Sequence, residues 1–156
     1  MDKDHKFWMQ EALKEAQKAY ELDEVPIGAV VVLDGEVIGR GYNQSISQND
    51  PSAHAEVQAL REAAKNLGNY RLNDCKVYVT LEPCLMCAGA LVHARVGHLI
   101  FGAFEPKAGA IKSHLQVQGL GFLNHQFEVT SGIEEEQCSV LLSGFFSEKR
   151  KKQKLK

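Results

Sequence analysis

The run IGAVVVL at 27–33 leads into Asp34-Gly35 and then EVIGRGYN at 36–43. Two β-rich segments joined through Asp-Gly predict a hairpin. The first segment has no polar alternation, so both of its faces should be covered. A chain built on such a strand needs helices packed against its sheet, which points to an α/β fold.

Helices are expected at several places along the chain. FWMQEALKEAQKAY at 7–20 sets Met9, Ala12, Leu13, Ala16, Ala19 and Tyr20 on one stripe of an amphipathic helix. After a loop, SISQNDPS at 45–52, the segment AHAEVQALREAAKN at 53–66 is rich in helix formers, with Ser52 as its expected N-cap. CKVYVTL at 75–81 reads as a third strand, and Pro83 then opens a helix over 84–94, CLMCAGALVHA. HLIFGA at 98–103 and QFEVT at 126–130 read as further strands, while 104–125, punctuated by Gly109, Gly119 and Gly121, shows no ordered element. A final helix is predicted over 134–150, acidic at its start and basic at its end, as the helix dipole favours. This order predicts an α/β sandwich of two or three layers around a mixed sheet.

At 156 residues, with no internal repeat or linker, the chain suits one domain over 1–148 followed by a basic tail over 149–156. The tail, KRKKQKLK, holds six basic groups and no acid, while the other 148 residues carry twelve basic against twenty acidic groups, a balance of −8. Such a tail serves either to contact a polyanion or simply to solubilise a frayed terminus. No apolar run approaches the roughly eighteen residues of a membrane span, so no membrane association is expected. MDKDHKFW lacks the apolar centre of a signal peptide. Cysteines 75, 84, 87 and 138 are too irregularly spaced for a disulfide framework, and a reducing, cytoplasmic compartment is expected.

Cys84 and Cys87 stand three apart at the first turn of a helix, where unpaired amides favour thiolates and both sulfurs can face one point. His54 lies at the start of another helix that the sheet can bring opposite. Two thiolates and an imidazole suit zinc, with room for water in the fourth position. Three readings compete. A redox Cys-x-x-C leaves His54 and Glu56 without a role. A structural zinc site needs a fourth ligand, for which Cys75, Cys138, His93, His98, His114 and His125 are formally available. In the third reading the site is catalytic, and Glu56 lies over the open zinc position to move protons between water and a leaving nitrogen.

His54-Ala55-Glu56 followed by Pro83-Cys84-Leu85-Met86-Cys87 matches the H-x-E…P-C-x-x-C signature of zinc deaminases. The surrounding segments extend the likeness to nearly the whole chain. PIGAVVV at 26–32, PSAHAEVQAL at 51–60, NYRLNDCKVYVTLEPCLMCAGALVHARVG at 69–97 and FGAFEPKAGA at 101–110 resemble the bacterial tRNA-specific adenosine deaminases, as does LNHQFEVTSGI at 123–133.

That resemblance implies a three-layer α/β/α cytidine-deaminase-like sandwich around a mixed five-stranded sheet. It implies one zinc ion per subunit on His54, Cys84 and Cys87, with Glu56 as the proton shuttle. The implied reaction is hydrolytic deamination of adenosine to inosine at the tRNA wobble position, through zinc-activated water attacking C6 of a flipped-out adenine. Asn43 and the Ala55 backbone amide are implied contacts to the base. Glu105, Lys107, Phe145, Phe146 and Arg150 are implied contacts to the tRNA anticodon stem-loop, and a homodimer is implied as the working form. The chain departs from the family at Glu105, where Asp is usual, at Phe104, which replaces a basic residue, and at Gln126, which replaces an arginine. Two alternatives stay open at this level: a zinc deaminase of a free base or nucleotide (guanine, cytosine or cytidine type), and an RNA-binding protein with structural zinc.

Overall fold

A computed structural model describes residues 3–154. Helix α1 (His5–Glu21) is followed by strands β1 (Gly28–Leu33) and β2 (Glu36–Tyr42), helix α2 (Ala55–Leu67), strand β3 (Lys76–Leu81), helix α3 (Leu85–Ala94) and strand β4 (His98–Ala103). A 3₁₀ turn (Val117–Gly119), a short strand β5 (Glu128–Thr130) and helix α4 (Glu135–Lys154) complete the order. The sheet runs β2-β1-β3-β4-β5, with β1 antiparallel to both neighbours and β3, β4 and β5 mutually parallel. It is the expected mixed five-stranded sheet.

Alternation along the strands builds three layers. Ala29 and Val31 of β1, Val77 and Val79 of β3, and Leu99 and Phe101 of β4 share one core with α2 and α3. Val30, Val32, Tyr78 and Ile100 face the other way, onto Trp8, Met9, Ala12 and Leu13 of α1 and Cys138 of α4. The unbroken apolar run of β1 is explained by this double burial.

Glycines set the distance between layers. A Cβ on Gly28 would collide with the backbone of α1 at Ala12 and Ala16. Gly39 and Gly41, two apart on β2, present bare backbone to α2, where a side chain would strike Ala55, Ala59 and Ala63. Asn43 is the next residue of this period-two stripe, so its side chain reaches the first turn of α2.

Several boundaries differ from expectation, each for a local reason. α1 starts at His5 because Asp4 caps it, its carboxylate accepting the Phe7 amide at 2.9 Å. Ser52 is not the cap of α2: it bonds Asp50 through its amide (2.9 Å) and hydroxyl (2.7 Å), and His54 occupies the N-cap position. Strand β5 begins only at Glu128, since the Phe127 amide donates to Gln118 Oε1 at 3.0 Å. α4 runs on to Lys154, so residues 149–154 of the basic tail are helical; residues 155 and 156 lie outside the described part. Lys149 pairs with Asp23 and lies 5.6 Å above the Phe145 ring, which ties this last stretch to the end of α1.

Candidate active site

Two helices point their first turns at one place. α2 starts with His54 at its N-cap and α3 with Cys84 at its N-cap, both in extended conformation. Neither side chain caps its own helix. The first amide of α2 is taken up from just past the end of β2, where Asn43 Oδ1 accepts it from Ala55 at 2.8 Å. The His54 imidazole is left for another use. Its Nδ1 lies 3.6 Å from Cys84 Sγ and 3.5 Å from Cys87 Sγ, and one donor atom from each of these residues falls within 4.8 Å of the others.

An imidazole nitrogen and two sulfurs at such separation form a donor set that fits zinc. Among the described residues no fourth His, Cys, Asp or Glu joins the group. His98 bonds Thr130 Oγ1 at 2.8 Å and His125 the Val96 carbonyl at 2.7 Å, while Cys75 and Cys138 are packed in the two apolar cores. The four-ligand structural site therefore has no support in the described residues.

Glu56 is 4% exposed. The extended N-cap turns His54 away from the helical path that Glu56 follows, and Glu56, only two residues on, also lies against the cysteines. Burial, reinforced by the charge of Cys84, pushes the Glu56 carboxyl up to about 7 in the metal-free protein. Cys84 is pushed down to about 4, chiefly by hydrogen bonding to Cys87 with a further bond to His54, while Cys87 and His54 are raised.

Comparison with known proteins agrees with this geometry. Residues 3–150 match the family described as MafB19-like deaminase. The tRNA-specific adenosine deaminase of Haemophilus influenzae is 51% identical over 148 residues, spanning 94% of this chain and 86% of the relative. That of Bacillus subtilis is 50% identical over 147 residues, spanning 94% of this chain and 91% of the relative. The chain belongs to the tRNA-specific adenosine deaminase family. A solved structure from work on A-to-I editing by tRNA:A34 deaminases at the wobble position superposes with a TM-score of 0.85, at 46% identity over 87% of this chain and 99% of that one. The three-layer architecture is thus that of the deaminase family.

Other residues named from the sequence lie in varied surroundings. Asn43 is buried, and the Ala55 amide expected at the base is engaged by it. Glu105 is half-buried and its carboxylate accepts the Lys107 amide at 3.0 Å; Lys107 is exposed. Phe145 is 5% exposed, packed against Tyr20, whereas Phe146 beside it is 43% exposed. These two and the exposed Arg150 sit on α4, outside the His-Cys-Cys cluster.

Three buried carboxylates, Glu15, Glu24 and Glu82, escaped the sequence reading, and the last two hold loops beside the site. Glu24 accepts the amides of Ile46 (3.2 Å) and Ser47 (2.7 Å) and the Ser47 hydroxyl (2.7 Å), which fixes the loop that follows Asn43. Glu82, two residues before Cys84, gathers the amides of the loop after β4. The available signal was an acid set directly against an apolar strand or a proline, as in DEVPIGAV and VTLEPC. A charge in such a place must find donors.

Proposed function

We propose that this chain deaminates adenosine to inosine at the wobble position of tRNA, consuming water and releasing ammonia. The carrying observation is the His54-Cys84-Cys87 cluster with Glu56 buried beside it, in a chain that matches tRNA-specific adenosine deaminases over nearly its full length. These three residues would hold zinc, which would supply a Lewis acid to activate water and to stabilise developing negative charge. Glu56 takes the first proton that water gives up and delivers it to the adenine ring nitrogen, then carries the second proton of that water to the amino group, which departs as ammonia. Asn43 fixes the Ala55 turn through Oδ1, and its amide nitrogen is the group offered to the base.

Glu105, Lys107, Phe146 and Arg150 are assigned to the anticodon stem-loop, with Phe145 holding Phe146 in place from beneath. Residues 1–148 form the catalytic unit, and 149–156 add positive charge for the RNA backbone. A homodimer is the working form. Its support is an apolar groove between α2 and α3, lined by Val57, Leu60, Ala64, Leu72 and Ala90 with Tyr70 at 66% exposure beside it. A cytoplasmic location is favoured by the substrate and by metal-binding thiols that need a reducing compartment.

The test is inosine formation by zinc-loaded protein on an anticodon stem-loop with adenine at the wobble position. Glu56→Gln should hold zinc yet lose activity by about a thousandfold. Turnover of free guanine or cytidine in place of the RNA would move the assignment to a small-molecule deaminase.

A further inference from the structure

Glu82 is 2% exposed and opens the two-residue stretch between β3 and the metal-facing Cys84. Its Oε2 accepts the amides of Ile111 (3.1 Å), Lys112 (2.8 Å) and Ser113 (2.9 Å), and its Oε1 accepts the Glu105 amide (3.1 Å) and the Ser113 hydroxyl. The segment closes tightly on the carboxylate: a Cβ at Gly109 would run into it. A second stitch joins the same parts, since the Ala110 amide donates to the Pro83 carbonyl at 2.9 Å. The segment 104–113 is otherwise without a helix or strand. Most of the side-chain bonds that hold it converge on one carboxylate, two residues from Cys84.

We propose that Glu82 is a positioning residue for the RNA: its buried carboxylate holds 104–113 in the form that presents Glu105, Lys107 and Lys112 beside the metal-facing turn. Lys107 and Lys112 are both exposed; Glu82 accepts the Lys112 amide directly, and it holds Lys107 through Glu105, whose own amide it accepts and whose carboxylate accepts the Lys107 amide. A flexible segment could still meet phosphate, but it would lose ordering entropy on every encounter. Holding the segment beforehand stabilises the complex without altering the chemical step, so the effect belongs in KM. The proposal rests on the assignment of an RNA substrate made above.

The test uses zinc-loaded Glu82→Gln. Its single carbonyl oxygen cannot serve both sets of donors, and its NH2 would face amides that donate. Zinc content should stay at wild-type level, KM for the stem-loop should rise about tenfold, and kcat should stay within about threefold. Amide exchange at Ile111, Lys112 and Ser113 should quicken. A fall in zinc content or kcat with KM unchanged would place Glu82 in the service of the metal turn and overturn the proposal. A loss of thermal stability with both kinetic constants intact would also overturn it, leaving a purely structural acid. If Glu82→Gln does not fold, Ser113→Ala removes one donor alone; a KM rise of about threefold supports the proposal and an unchanged KM sinks it. Wild-type protein silent on the stem-loop would defeat the assigned function instead, while the exchange measurement would still report whether Glu82 holds the segment.

Discussion

Asn43, just past the end of β2, caps helix α2 from outside, its Oδ1 receiving the Ala55 amide at 2.8 Å. An N-cap side chain ordinarily accepts from the second or third amide of its helix, and here the N-cap, His54, makes no such bond. Its imidazole faces two sulfurs instead.

A pair of substitutions separates the two roles of Asn43. Asn43→Ala should cost about 1–2 kcal/mol of stability through the lost capping bond. Asn43→Asp keeps the acceptor and should retain most of that stability, yet lose activity with the amide nitrogen. Chemical denaturation and turnover on the same two variants decide it; equal stability losses would refute the capping role.

The close approach of β2 and α2 makes Gly41 intolerant. Gly41→Ala places a methyl group against the backbone of Ala55 and Ala59, so stability should fall by about 2 kcal/mol or more. Because Ala55 follows His54 directly, zinc content after dialysis should fall as well. Full zinc occupancy in a destabilised variant would show that the layers shift without moving the site.

Removing the metal should expose a reactive cysteine. Cys84, held down to about 4, remains a thiolate at mildly acidic pH in the metal-free protein. Burial pushes Cys75 up and Cys138 up to about 12, so both stay protonated and shielded. Alkylation followed by mass spectrometry should mark Cys84 first after chelation and scarcely at all after zinc is restored. Labelling that begins at Cys75 or Cys138 would count against this order.

Acid should loosen the loop after Asn43 through Glu24. Burial opposes its ionisation, but the Ser47 amide and hydroxyl and the Ile46 amide outweigh it, so the folded carboxyl lies below its ordinary 4.5. Its contribution to stability is complete above 4.5 and is lost as pH falls through the lower folded value. Glu24→Gln should therefore flatten the acid side of a plot of Tm against pH. Parallel curves for the two proteins would mean that Glu24 contributes nothing there.

The layers and the metal-facing triad were legible because their signals are local. The apolar run of β1 announced two covered faces, and H-x-E with P-C-x-x-C announced a donor set. Ser52 misled because cap preference is a property of single residues, whereas the cap of α2 comes from Asn43, twelve residues upstream of Ala55. The 104–113 segment was opaque for a similar reason: its order comes from Glu82, more than twenty residues away, and has no period to read. Phe145 and Phe146 are adjacent, and nothing in the pair itself says which ring is buried.

Helix ends fray before helix middles. Here His54 and Cys84 are both terminal residues, so the groups that would grip the ion occupy the two turns of α2 and α3 with the least support from their own helices. An ion bound across them would act as a cross-link, turning the loosest ends into a rigid corner. Metal supply would then govern the shape of the substrate's doorway as well as the chemistry inside it. Starvation for zinc should open that corner while the sheet beneath stays closed.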